Sequence, residues 1–195
     1  MVVPKLVVAS QNPGKLREIQ EYLRDLNWEL VLMPAELEIE ETGDTFLANA
    51  CLKASKVAGV TGEWAIADDS GLAVQALDGA PGIYSARYGK TDAERIQRLL
   101  DAMENESNRR AEFVCVIALA RPDRLIALHA QGICPGEILP GARGIGGFGY
   151  DPIFYVPEQG MTFAEMPAQI KHQISHRGRA FRAFLPQLQA LKPDE

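Results

Sequence analysis

This 195-residue chain predicts an α/β fold with a mixed, twisted sheet flanked by helices. Three observations carry the prediction: a β-α-β opening, apolar runs separated by segments of helical period, and two adjacent apolar runs that read as a long hairpin. Residues 5–9 (KLVVA) form the first buried strand. A helix follows with Asn12 as N-cap and Pro13 at its first position, where a missing N–H costs nothing. Its apolar face is Leu16, Ile19, Leu23 and Leu26, and WELVLM (28–33) supplies the second strand. After the acidic loop PAELEIEETGD, a second helix is expected from about Thr45 to Ala58, with Gly59 just past its end and Phe46, Leu47, Ala50, Ala54 and Val57 inward.

WAIADDSGLAV (64–74) reads as two short strands broken by the residues Asp68 to Gly71, because Asp and Gly are poor strand formers. A third helix starts at Thr91 with the capping-box pair Thr91 and Glu94 and carries Ile96, Leu99, Leu100 and Met103 inward. AEFVCVIALA and RLIALHAQGIC, separated by a Pro-Asp turn, form the hairpin. The glycine-rich GARGIGGFGYDP, the strand IFYV and a closing helix over about 176–191, through Phe181, Phe184, Leu185 and Leu188, complete the chain. Residues 1–195 read as a single domain, with two lobes around a central cleft.

Composition narrows the function. With 47% hydrophobic and 24% charged residues the chain is globular, and its apolar runs fall short of the ~20 residues of a membrane span. MVVPKLVVAS has the look of a buried strand, not of a signal peptide. Three scattered cysteines without a CxxC pair argue against a disulfide framework or a zinc site and for a cytoplasmic protein. A formal charge of −6 argues against duplex nucleic acid as a partner, yet leaves room for a small polyphosphate held by a few basic groups and a divalent cation.

Four stretches combine polar groups with backbone features that a core does not need. SQNPGK (10–15) lies at a strand-to-helix junction, where free N–H groups with Ser10, Asn12 and Lys15 suit a phosphate; a capped helix start with an exposed lysine is the plainer alternative. It is not a Walker A loop, because Leu16 follows the lysine. Glu40, Glu41, Asp68 and Asp69 are oxygen ligands of the kind magnesium takes alongside substrate phosphates; a solvated acidic loop is the plainer account of the two glutamates, and an unrelated Asp turn is the alternative for Asp68 and Asp69. In GIGGFGYDP (144–152), glycines permit close backbone approach and Phe148 or Tyr150 can stack on a base; a loose hairpin loop is the alternative. In ISHRG (174–178), Ser175 caps the last helix, while Lys171, His176 and Arg177 supply donors. Positive charge at a helix N-terminus opposes the macrodipole, which points away from a purely structural purpose.

Taken together, ASQNPGKLREI, EETGDTFLANACLKA, ADDSGLAVQALDGAPGIYSARYG, GGFGYDPIF and ISHRGRAF resemble, in order and over most of the chain, the motifs of the inosine triphosphate pyrophosphatase family, in its bacterial form. The resemblance implies an elongated two-lobed fold, usually a homodimer. It implies magnesium-dependent hydrolysis of ITP, dITP and XTP to the monophosphate and pyrophosphate. By position, Ser10, Gln11, Asn12, Pro13, Gly14 and Lys15 would bind the triphosphate, and Asp69 would be general base and metal ligand. Ser70 would touch substrate, and Glu41, less securely Glu40, would be the second metal ligand. Phe148, Gly149, Tyr150 and Asp151 would line the base pocket, with Lys171, His176 and Arg177 completing the substrate site. A nucleotide-binding module without hydrolysis, and a pyrophosphatase for modified pyrimidine nucleotides, are the competing readings.

Overall fold

A computed structural model of the protein describes residues 3–11 and 13–191. Seven strands form one mixed sheet in the order β2-β1-β3-β4-β5-β6-β7. They are β1 (Lys5–Val8), β2 (Glu29–Leu32), β3 (Trp64–Val74), β4 (Arg110–Ala120), β5 (Ile126–Ile138), β6 (Phe154–Val156) and β7 (Met161–Thr162). Strand β1 pairs in parallel with both β2 and β3, whereas β6 pairs antiparallel with β5 and β7. The helices are α1 (Pro13–Leu23), α2 (Phe46–Thr61), α3 (Asp92–Ala102), α4 (Ala168–Ile174) and α5 (His176–Ala190).

The chain forms two compact units. The first draws on the described residues up to Asp69, on Val116–Gln131 and on those from Ala180 onward; the second comprises Ser70–Cys115 and Gly132–Arg179. In the first, Leu6, Val7 and Val8 of β1, Ala65, Ile66 and Ala67 of β3, and Ile19 and Leu23 of α1 are buried with Ala50, Ala54 and Val57 of α2. Phe181 of α5 stacks on Tyr22 with ring centroids 4.1 Å apart. In the second, one apolar cluster joins Leu72 and Val74 of β3, Leu99 and Met103 of α3, Phe113 of β4, and Phe154 and Phe163.

Helix ends follow their capping chemistry. Thr45 Oγ1 accepts the Ala48 N–H at 3.0 Å and starts α2, and Thr91 Oγ1 accepts the Glu94 N–H at 3.2 Å and starts α3. The proposed N-cap Asn12 lies outside the described residues. Helix α2 passes the expected stop at Gly59 and ends at Gly62, whose φ of 69° is left-handed. Gly59 serves packing instead, since any side chain there would collide with that of Arg124. Leu47, expected inward, is exposed, and Asn49 and Lys53 take buried positions on that helix.

The largest departure from expectation is β3. Asp68 to Gly71 do not break it; the strand runs unbroken for 11 residues. Strand propensity yields here to position, because β3 lies between β1 and β4 and its two carboxylates are neutralised by lysines from α1 and α2.

Candidate active site

Alternation along a strand sends adjacent side chains to opposite faces, so Asp68 and Asp69 are not a chelating pair on one face. Asp68 meets α1, where Lys15 Nζ lies 2.7 Å from its Oδ1. Asp69 meets α2, where Lys53 Nζ donates to its Oδ1 at 2.9 Å and Asn49 Nδ2 donates to its Oδ2 at 3.3 Å. Lys53 Nζ also donates to Glu41 Oε1 at 2.5 Å. Glu41 and Asp69, far apart in sequence, thus converge on one cationic atom in the first unit. Glu40 is exposed and is not among the described residues that meet there.

The acidic loop carrying Glu41 exposes Glu36, Glu38 and Glu40 but is tied down through its backbone. Gln11 Nε2 donates to the carbonyls of Ala35 at 2.7 Å and Leu37 at 3.3 Å, and Lys56 Nζ donates to Glu38 O at 3.0 Å. Gln11, expected on the triphosphate, therefore has a holding contact of its own. Ser10 precedes α1 half-buried, and Pro13, Gly14 and Lys15 form the helix's first turn.

Electrostatics follow from burial. Burial lifts the Asp69 carboxyl above its usual value, and the Glu41 charge adds to this, against the opposing pull of Lys53 and Asn49. For Lys53, burial works to lower the ammonium's pKa, but Asp69, Glu41 and Asp68 outweigh it and hold it above the usual value. In these ion pairs the carboxylates of Asp68, Asp69 and Glu41 meet the ammonium groups of Lys15 and Lys53. Two hard oxygen donors already sharing one cation fit magnesium held jointly with substrate phosphates. No group of three or more His, Cys, Asp and Glu able to hold a metal unaided occurs among the described residues.

The second unit brings the other candidates together. Phe148 is 68% exposed. Tyr150, by contrast, is buried and donates its hydroxyl to Ser85 O at 2.9 Å, so it belongs to the core and only Phe148 is free to stack. Asp151 is buried too, and its Oδ2 accepts both the Phe148 N–H at 2.8 Å and Lys171 Nζ at 2.5 Å. Lys171 Nζ lies 5.1 Å from the Phe148 ring centroid. The His176 ring stacks on Phe113 at 4.7 Å and 14°, which fixes its plane. Ser175 Oγ accepts the Gly178 N–H at 3.1 Å and starts α5 as expected, leaving His176 and Arg177 half-buried in its first turn. Ser70, the next residue of β3 after Asp69, is half-buried.

Sequence reasoning passed over Asn49 and Lys53. Their signal was present: two polar residues four apart on a helix whose neighbours Ala50, Ala54 and Val57 are core positions. A polar side chain on a buried face has a partner to find.

Comparison with known proteins finds relatives over almost the whole chain. The sequence pattern of the Ham1 family matches residues 6–187. The chain is 65% identical over 186 residues to a dITP/XTP pyrophosphatase of Nostoc sp., covering 95% of each chain. It is 58% identical over 192 residues to a dITP/XTP pyrophosphatase of Synechocystis sp., covering 98% of this chain and 99% of the other. A solved HAM1 protein from Coxiella burnetii shares the fold with a TM-score of 0.88 at 47% identity, over 96% of this chain and 98% of that one. With its motifs matched from first strand to last helix, the chain belongs to the Ham1 family.

Proposed function

We propose that the protein hydrolyses non-standard purine nucleoside triphosphates, ITP, dITP and XTP, to the monophosphate and pyrophosphate. The observation that carries the reading is the convergence of Glu41 and Asp69 on Lys53, in a chain so similar to proteins named for that reaction. Lys15 and the N-terminal N–H groups of α1 receive the triphosphate. Asp69, whose carboxyl burial has made a stronger base, takes the proton from the attacking water. The water oxygen forms a bond to the α-phosphorus, the α–β anhydride bond breaks, and pyrophosphate leaves. Glu41 and Asp69 would hold magnesium, which would supply charge neutralisation of the triphosphate.

Phe148 offers its exposed face to the purine ring, while Asp151 acts behind it by holding Lys171 and the Phe148 backbone. His176 and Arg177 donate towards the purine 6-position, and Lys171 completes the substrate site. Hypoxanthine and xanthine present a keto oxygen there, whereas adenine's amino group leaves a donor unpaired at a cost of about 1–3 kcal/mol. The reading includes a homodimer as the working assembly and a cytoplasmic setting. One feature supports the last: Cys51, Cys115 and Cys134 are free thiols.

The test is product analysis with ITP, XTP, ATP and GTP, with and without magnesium, measuring pyrophosphate and orthophosphate separately. Pyrophosphate from ITP and XTP in magnesium is the expected result. Orthophosphate, or tight ITP binding without turnover, would instead favour a protein that holds the nucleotide for another purpose.

A further inference from the structure

Asn49 is a polar side chain with no exposed surface, and the reaction proposed above gives it nothing to do. It stands in the first part of α2, where its own N–H bonds to Thr45 O. Its side chain faces two ways. Oδ1 accepts the Gly43 N–H at 2.8 Å, and Nδ2 donates to Asp69 Oδ2 at 3.3 Å. Gly43 lies two residues beyond Glu41 in the loop, and Asp69 lies on β3. One amide therefore spans the two segments that carry the converging carboxylates. Lys53, one helical turn further along, holds the other oxygen of Asp69 and also reaches Glu41.

Gly43 supplies an independent observation. A Cβ at that position would lie 2.7 Å from Asn49 Oδ1 and 2.8 Å from the Ala48 Cβ. Only a residue without a side chain lets the loop come this close to the helix. The loop is thus seated on α2 by shape as well as by hydrogen bond.

We infer that Asn49 is a positioning residue that sets the separation and orientation of Glu41 and Asp69, so that the two carboxylates form one divalent-cation site before substrate arrives. The inference rests on the reading of these carboxylates as cation ligands. Partners that orient ligating groups typically change metal affinity or activity by about 10–100-fold when removed. A purely architectural amide would lower the melting temperature and leave cation affinity alone.

The experiment measures Mn²⁺ binding to the free protein, without nucleotide, by the loss of the free-ion electron paramagnetic resonance signal. Wild type, Asn49→Leu, Gly43→Ala and Asp69→Asn are compared, with melting temperatures recorded for each. Asn49→Leu keeps the branched outline, at a somewhat larger volume, and removes both hydrogen bonds. Gly43→Ala unseats the loop without altering any charge or polar side chain, and serves if Asn49→Leu does not fold. The expected result is Mn²⁺ affinity about tenfold or more weaker in both, with kcat for ITP lowered and KM changed by less than about twofold. If Asp69→Asn loses Mn²⁺ while both variants bind as wild type does, Asn49 is architectural and the inference fails by itself. If wild type binds Mn²⁺ no better than Asp69→Asn, the carboxylate reading fails and takes the inference with it.

Discussion

Lys53 occupies the position that a metal ion would contest. Its side chain is 11% exposed, and its ammonium holds Asp69, whose side chain is 9% exposed, together with Glu41. Removing one partner from a buried ion pair leaves an uncompensated charge and typically costs about 3–5 kcal/mol. In Lys53→Met, Glu41 and Asp69 face each other with no cation between them. We expect its melting temperature in EDTA to fall by roughly 10 °C, given about 2–4 °C per kcal/mol for a chain of this size. Excess magnesium should recover more of that loss than it adds to wild type, because a ion bound only by the folded chain stabilises it. A variant as stable as wild type in EDTA would show that the ammonium contributes little. The carboxylates themselves were legible in the sequence; their neutralisation was not, since Lys15 reads there only as a phosphate donor and Lys53 is passed over. Asp68 and Asp69 looked like a turn because propensity is local, whereas Lys15 and Lys53 reach them only once α1 and α2 pack on opposite faces of β3.

Elements with a long hydrophobic period were readable from sequence: the β4–β5 hairpin, α3, and α5 through Phe181, Phe184 and Leu188. Strand β6 was readable as the apolar run IFYV, whereas the two-residue β7 and the seven-residue α4 give too few repeats to define a period. The glycine-rich segment was readable as a loop, but not the reason for its glycines. Gly147 has a φ of 74°, and any side chain there would collide with the Asp151 carboxylate. That carboxylate holds the Phe148 N–H and Lys171, so the glycine makes room for an internal anchor and not for a ligand. In Gly147→Ala, backbone strain of about 1–3 kcal/mol combines with displacement of Asp151. Calorimetry should show a loss of that size, and steady-state kinetics a several-fold rise in KM for ITP with kcat largely retained. An unchanged KM would mean that this loop does not grip the base.

At the scale of the whole molecule, stability should be lost in alkali, and the groups responsible lie in one core. Burial pushes the Cys134 thiol from 9.0 up to about 11, against a lowering pull from Arg179. Burial likewise pushes the Tyr150 phenol from 10.0 up to about 12. Each group is neutral in both states below its unfolded value, so its contribution is fully present there. Above that value the unfolded chain releases the proton first, and stability falls until the folded pKa is passed. A rise of this size corresponds to roughly 3 kcal/mol per group. The chain's formal charge of −6 also becomes more negative over the same range, so self-repulsion adds to the trend. Urea unfolding from pH 7 to 12 should therefore show stability nearly flat to about pH 9 and declining steeply beyond it. Cys134→Ala separates the contributions: its stability at pH 7 is lower for the lost packing, but its decline between pH 9 and 11 is shallower than that of wild type. Parallel declines in the two proteins would show that the Cys134 thiol does not drive the alkaline loss and that charge repulsion or the Tyr150 phenol does.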